Sequence, residues 1–288
     1  MEKRKHTDRL YALCVLPMAA WTALFVGGAL LYIIVLSFMT RSPDGIGSLA
    51  IFTWENYTRI LDPSYARVLL DSLLLALEST LICFAVGYPF GYMLARMRGR
   101  KRAAVLMLVM VPFWTNALVR VYGWEILLLG EGPINSFLKS LGIIEKSLKL
   151  LNTRGAVLMG MTYALLPFMI LPVYSAVDKM DWSLAEAARD LGSSPARVFL
   201  NITFPLTCQG ALSGILLVFV PSISLIFISD MLGGGNYMLA GNLIYNQLYK
   251  SRDWPFAAAM SVVLLVLISA LLVLYRRAGK KYGNTGLI

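Results

Sequence analysis

Six stretches of this chain are apolar for long enough to cross a bilayer, which takes about 20 such residues. They are 11–38, 68–95, 103–122, 155–177, 208–229 and 256–275. Each ends in charge or turn chemistry. Arg41-Ser42-Pro43-Asp44-Gly45 closes the first, and Arg98-Gly99-Arg100-Lys101-Arg102 separates the second from the third. Gly233-Gly234-Gly235-Asn236 follows the fifth, and Arg276-Arg277 with Lys280-Lys281 follows the sixth. The pattern predicts an all-α membrane protein with six transmembrane helices in a single domain, 1–288. Neither a low-complexity linker nor an internal repeat interrupts it.

Charge then orients the bundle. Sixteen of the 26 basic residues fall in the N-tail (Lys3, Arg4, Lys5, Arg9), in 96–102, in 178–207 and in the C-tail. Alternating spans put all four segments on one side, and the positive-inside rule makes that side cytoplasmic. Both termini are therefore expected in the cytoplasm. The outer loops are 41–66, with Trp54, Tyr57 and Tyr65, and 123–154. Pro133 and Asn135 near a start, and Leu138, Leu141 and Ile144 spaced three apart, predict some helix in the latter.

Composition agrees and excludes other classes. With 58% hydrophobic and 15% charged residues and a mean hydropathy of +0.69, the apolar residues exceed what one soluble core could bury. The net charge of +10 sits in runs that flank apolar stretches, so no nucleic-acid partner is expected. Cys14, Cys83 and Cys208 lie in or beside apolar stretches without CxxC pairing and read as apolar packers. The one histidine, His6, leaves no metal-site pattern. The charged start followed by an apolar run to Phe38 reads as a retained first helix. No G-x4-GK-[ST] loop occurs, so no cofactor is expected in this chain and any ATP chemistry belongs elsewhere.

The expected cytoplasmic loop 181–206 carries the densest local signals. Ser183 followed by Glu186 forms a capping box. Leu184, Ala187, Ala188 and Leu191 share one helical face, and Gly192 stands where a helix C-cap would. Ser194-Pro195 then opens a second short helix bearing Val198, Phe199 and Ile202, with Pro205 beginning the approach to span five. Such a helix–corner–helix either lies along the membrane interface or presents a knob to a soluble partner.

Glu186-Ala187-Ala188, three residues, Gly192, nine residues, Ile202-x-Phe204-Pro205 resembles the EAA loop of ABC-importer permeases. The one departure is Phe204, where that pattern has Leu. The segments Gly87–Gly91, Val111–Asn116, Arg120–Gly123, Leu166–Met169, Ser229–Gly234 and Asp253–Phe256 extend the likeness to permeases of spermidine/putrescine importers. The resemblance implies a type I ABC-importer permease fold in a bacterial cytoplasmic membrane, importing polyamines. It implies a second, homologous permease subunit, a homodimeric ATPase that binds ATP and Mg, and an extracytoplasmic polyamine-binding protein. Glu186 and Arg189 would contact the ATPase, and Gly192 would permit the turn.

A polyamine needs carboxylates for its charge and aromatic faces for its methylenes. Asp230, at the end of span five beside a glycine run that could gate, is the leading acid; it could equally be a solvated helix-end carboxylate. Trp114 sits in a Pro112-to-Asn116 break of span three, and irregular backbone at that depth lines protein or a water-filled cavity. Tyr57, Asn116, Tyr122, Trp124 and Glu125 complete the candidates, although aromatic residues also anchor membrane interfaces. Asp71 and Glu78 share a face of span two, where Glu78 could meet cargo or a polar group of a partner subunit. A different cargo, a secondary transporter and a membrane scaffold are the rival readings. Arg120 stands near the outer end of its span and no basic residue lies deep in one, which argues against anions.

Overall fold

The computed structural model describes residues 16–42 and 48–283. Lys3, Arg4, Lys5, His6, Arg9, Cys14 and Pro43-Asp44-Gly45 lie outside the described residues, as do the side chains of Arg276, Lys280 and Lys281. Contacts gather the chain into two compact units, Met1–Tyr65 with Ile244–Leu267 and Ala66–Leu243 with Ile268–Ile288.

In the first unit, α1 (Leu16–Ser37) carries no charged residue, and Trp21, Leu24, Phe25 and Leu31 on it are all exposed. A helix apolar all round with almost nothing to pack against is suited to lipid. A short ribbon follows, absent from the all-α expectation: β1 (Met39–Thr40) pairs antiparallel with β2 (Ser48–Phe52). Next comes α2 (Glu55–Ile60). Asn56 is buried and donates to the carbonyls of Ser37 (3.0 Å) and Met39 (2.8 Å), groups that the end of α1 leaves unpaired. The final helix of the chain, Trp254–Gly283, is N-capped by Asp253, which accepts from the Phe256 amide (3.2 Å) and from Arg59 Nη1 (3.0 Å). Arg59 also lies 4.1 Å over the Phe256 ring, so the segment after β2 is tied to the start of the last span.

The second unit is built on α3 (Pro63–Arg96), α7 (Arg154–Asp178) and α9 (Pro195–Ser222). They meet through glycine. A Cβ on Gly87 would stand 2.7 Å from Met169 Cγ, and one on Gly214 would stand 2.7 Å from Met169 Sδ. Small residues at such contacts let backbones approach where lipid removes the usual hydrophobic drive. Hydroxyls cross-link the same helices, Ser79 to Ser222 (3.1 Å) and Tyr88 to Thr207 (2.7 Å). Cys83 and Cys208 are buried as packers.

Two spans depart from the pattern. Among the described residues five helices are long and apolar enough to cross a membrane, and a sixth crossing exists only as a bent pair. That pair is α4 (Gly99–Met110) with its 3-10 extension Val111–Trp114, followed by α5 (Ala117–Leu128) and α6 (Pro133–Ser140). The axis turns by 94° at Thr115-Asn116, so 103–122 is no single rod. The expected interruption is there; its size was not foreseen. The fifth span, expected over 208–229, starts at Pro195 and stops at Ser222. A π turn at Phe199–Thr203 carries it past Pro205, whose missing N–H would otherwise leave a carbonyl unpaired. Leu225, outside helical geometry, then separates it from α10 (Ile226–Gly233). The second helix of the 181–206 loop is thus the first turn of span five.

The loop 123–154 contains the expected helix, α6, which starts at Pro133. Asn135 caps no helix; it is fully buried, donates to Leu129 O and Leu148 O (both 3.0 Å) and accepts from the Leu148 amide (2.8 Å).

Candidate functional site

At one end of the second unit stands α8 (Ser183–Asp190). Its start is not the capping box. Ser183 is the first helical residue, and the Asp181 carboxylate accepts its amide at 3.0 Å. Hydrogen bonds from Ser183 hold the Asp181 carboxyl below its ordinary range. With that donor satisfied locally, Glu186 stays exposed. At the other end the Gly192 amide donates to Arg189 O (2.8 Å) and the Ser193 amide to Ala188 O (3.0 Å). This 5→2 and 6→1 pair is a Schellman closure, and it needs the left-handed φ of +84° that Gly192 adopts. Ser194 then caps α9 through the Arg197 amide, with Pro195 at its first position.

Burial is divided sharply across this element. Ala185 is 1% exposed against the body, whereas Leu191 is 88% exposed. Leu184, Ala187 and Arg189 are exposed too, and Ala188 is half-buried. The apolar face therefore points away from the chain's own core. Ile202 and Pro205 are half-buried at the base, where Phe199 and Phe204 flank the Tyr88 ring. Arg96 lies 5.2 Å from the Trp182 ring and Arg102 pairs with Asp178 at 2.7 Å, so the basic segment 96–102 and the EAA loop share one end of the unit.

The second feature is the bend in the third span. Thr115 and Asn116 are extended, and Asn116 caps α5 by accepting the Leu118 amide at 2.8 Å. Trp114 stands at the tip, 77% exposed. Arg120 on α5 reaches back and donates to Pro112 O at 2.7 Å. Beside it is a cavity of about 300 Å³ walled by Phe113, Arg120, Tyr163, Phe168, Leu225 and Phe227.

Other candidates scatter. Trp124 packs edge-on to Tyr163 at 5.5 Å and joins the core, with Glu125 half-buried next to it and Tyr122 exposed. Asp230 lies on α10 rather than at the end of span five; it is exposed and accepts from Asn242 Nδ2 at 2.6 Å. The glycine run behind it is a closed C-cap, not a loose gate: Gly234, at φ +58°, packs on Asn152, whose amide bonds Leu232 O. Tyr57 belongs to the first unit, its hydroxyl 2.7 Å from Ser37 Oγ and its ring among Phe38 and Trp54. Glu78 finds its partner within the chain, Arg154, through Nε (3.0 Å) and Nη2 (2.7 Å).

The sequence reading weighed Arg120 only for its charge and gave it no place in the site, and it passed over Asn242. The signal for Arg120 was present: a Pro–Asn break leaves carbonyls unpaired, and the nearest cation stands four residues after Asn116.

Residues 87–283 match the family described as binding-protein-dependent transport system inner membrane component. The chain belongs to that family. It is 43% identical over 276 residues to the spermidine/putrescine transport system permease protein PotB of Salmonella typhimurium, covering 96% of each chain. Against PotB of Escherichia coli K12 it is 44% identical over 266 residues, covering 92% of this chain and 96% of that one. Among solved structures it resembles a chain of a bacterial ABC transporter that imports the acidic polysaccharide alginate, with TM-score 0.76 and 16% identity over 96% and 98% of the two chains. The fold is that of ABC-importer permeases, and the protein is a multi-pass inner-membrane transport component.

Proposed function

We propose that this chain is one permease subunit of a polyamine importer, moving spermidine or putrescine into the cytoplasm by alternating access. The observation that carries the cargo is the 43% identity to PotB over nearly the whole chain. The chain acts as a single permease domain, 1–288, with both termini cytoplasmic, beside a second, homologous permease subunit. An extracytoplasmic binding protein delivers the polyamine, and a homodimeric ATPase that binds ATP and Mg supplies the work. That work arrives at Glu186, Ala187, Ala188, Arg189 and Gly192, on a helix whose exposed apolar face fits a groove in a soluble partner. Fully burying a leucine such as Leu191 contributes about 1.5–3 kcal/mol. Ile202 and Pro205 seat that helix on the membrane body.

The cargo passes the bent third span at Trp114 and Asn116 and the acid Asp230, with Tyr122, Trp124 and Glu125 further along α5 and Tyr57 in the outer loop. An exposed indole offers a face to methylenes and ammonium groups alike. Vesicles containing all subunits are expected to accumulate radiolabelled spermidine only with ATP and binding protein. Uptake of an amino acid or a sulfate in place of spermidine would refute the cargo while sparing the architecture. Asp230→Asn is expected to reduce uptake more than basal ATP turnover.

A further inference from the structure

The bend in the third span leaves the last carbonyls of its first half without α-helical partners. Pro112 O is served by the Thr115 amide (3.3 Å), Thr115 Oγ1 (2.7 Å) and Arg120 Nη1 (2.7 Å). The first two lie within the turn. Only Arg120 reaches across the 94° bend from the second half. Its guanidinium stands 5.4 Å from the Phe113 ring and 6.0 Å from the Tyr163 ring, both within cation–π range. Phe113 in turn meets Phe168 edge-on at 5.3 Å. Among the described residues no carboxylate lies within ion-pair distance of Arg120. Arg120 is half-buried on the wall of this otherwise apolar and aromatic cavity near the end of the span, a place that a neutral side chain could fill. The charge is therefore kept for what it holds.

We propose that Arg120 is a positioning residue of the transport path: its guanidinium fixes the bend of the third span and so keeps Trp114 presented at the tip. The bond joins two helical segments that nothing else in the turn connects, and a charge-assisted donor is the stronger kind for that task. The same side chain occupies the aromatic faces of Phe113 and Tyr163, which would otherwise attract an ammonium into a pocket beside the path. This inference rests on the polyamine reading for its transport readout, while its structural readout does not.

The test uses the assembled transporter. Arg120→Met keeps length and apolar stem, Arg120→Gln keeps a neutral donor, and Arg120→Lys keeps charge and donor. Spermidine uptake is expected to fall about tenfold or more in Arg120→Met, less in Arg120→Gln and least in Arg120→Lys. Binding-protein-stimulated ATP turnover should change less than uptake in all three. In parallel, maleimide labelling is followed at Leu118→Cys, an exposed position on α5, in a chain carrying Cys14→Ala, Cys83→Ala and Cys208→Ala. The labelling rate should shift in Arg120→Met and return in Arg120→Lys. Uptake lost with labelling unchanged, or labelling shifted with uptake intact, overturns the proposal, as does an Arg120→Met transporter that behaves like the parent. If the parent complex carries no spermidine but labelling still follows the Met–Lys order, the cargo reading fails and the bend assignment stands.

Discussion

The second unit contains two corners where helix meets helix, and they are closed by opposite means. Between α8 and α9 every closing bond is local. Asp181 serves Ser183, the Gly192 and Ser193 amides turn back onto α8, and Ser194 serves Arg197. Between α4 and α5 the closing bond comes from Arg120 on the far side of the bend, steadied by Phe113 and by Tyr163 from α7. The first corner is closed by its backbone and by the two caps Asp181 and Ser194, and it leaves the apolar side chains of Leu184, Ala187 and Leu191 exposed. That suits a surface offered to a partner. The second spends a charged side chain on itself and holds Trp114 exposed at the tip. A docking element has to hold its shape while showing its side chains; a path element has to hold one side chain in place.

The comparison breaks most visibly at Glu186. If the α8–α9 corner works through its side chains, Glu186→Lys reverses a charge where a partner docks, and like charges across an interface cost several kcal/mol. ATP-driven uptake should fall about a hundredfold or more, each 1.4 kcal/mol being a factor of about ten. The chain should remain in the membrane at parental level, because Glu186 is exposed and supports no packing. Uptake within threefold of the parent, on the order of measurement scatter for such assays, would remove the coupling assignment.

Backbone closure is probed next at Gly192. A Cβ there meets nothing within 4 Å, so substitution costs only the left-handed φ of +84°. For a β-branched residue that is about 1–2 kcal/mol or more. Gly192→Val should therefore lower uptake roughly tenfold, with Gly192→Asn milder because Asn tolerates that conformation. Equal loss in both would mean that the glycine is needed for room against a partner rather than for its backbone.

The bend between α4 and α5 has its own local device in Asn116. Asn116→Ala removes the cap on the Leu118 amide at a cost of about 1 kcal/mol. Thermal unfolding of the complex should begin a few degrees lower, and uptake should drop several-fold less than in Arg120→Met. A larger effect from the cap than from Arg120 would reverse the assignment of what holds the bend.

The two corners also explain what the sequence could tell. Capping and turn chemistry run over three to six neighbouring residues, so the helix at 183–190, the glycine corner and the Ser194-Pro195 restart were legible, apart from which residue caps α8. The family motif is written in that same local code. Span existence was legible from apolar length, and the break in span three from Pro112 to Asn116; the 94° size of the bend and the stop at Ser222 were not. The path candidates were chosen by residue type, and type does not reveal partner. Asp230 is tied to Asn242, Glu78 to Arg154 and Tyr57 to Ser37, each across 12 or more residues of chain. No window of sequence contains those pairs.

The smallest test refines the α8–α9 corner itself. Asp181 accepts hydrogen bonds from Ser183, and these stabilise its ionised form. Its folded pKa is therefore depressed below that of the unfolded chain, ordinarily about 3.9 for an aspartate. The sign follows: this cap contributes fully above the unfolded value and is lost as pH falls through the folded one. At neutral pH the corner is insensitive to pH, and fraying of α8 is confined to acid. A carboxyl-carbon NMR titration of Asp181 in the detergent-solubilised chain should give a midpoint below that of a model aspartate. Ser183→Ala removes the hydroxyl but keeps the backbone amide, so the midpoint should rise partway and no further. A midpoint at or above the model value would mean that the bond is not formed in solution. The start of α8 would then rest on Trp182 O and its bonds to the Ala185 and Glu186 amides, and the α8–α9 corner would owe less to its side-chain cap than the contrast with the bend requires.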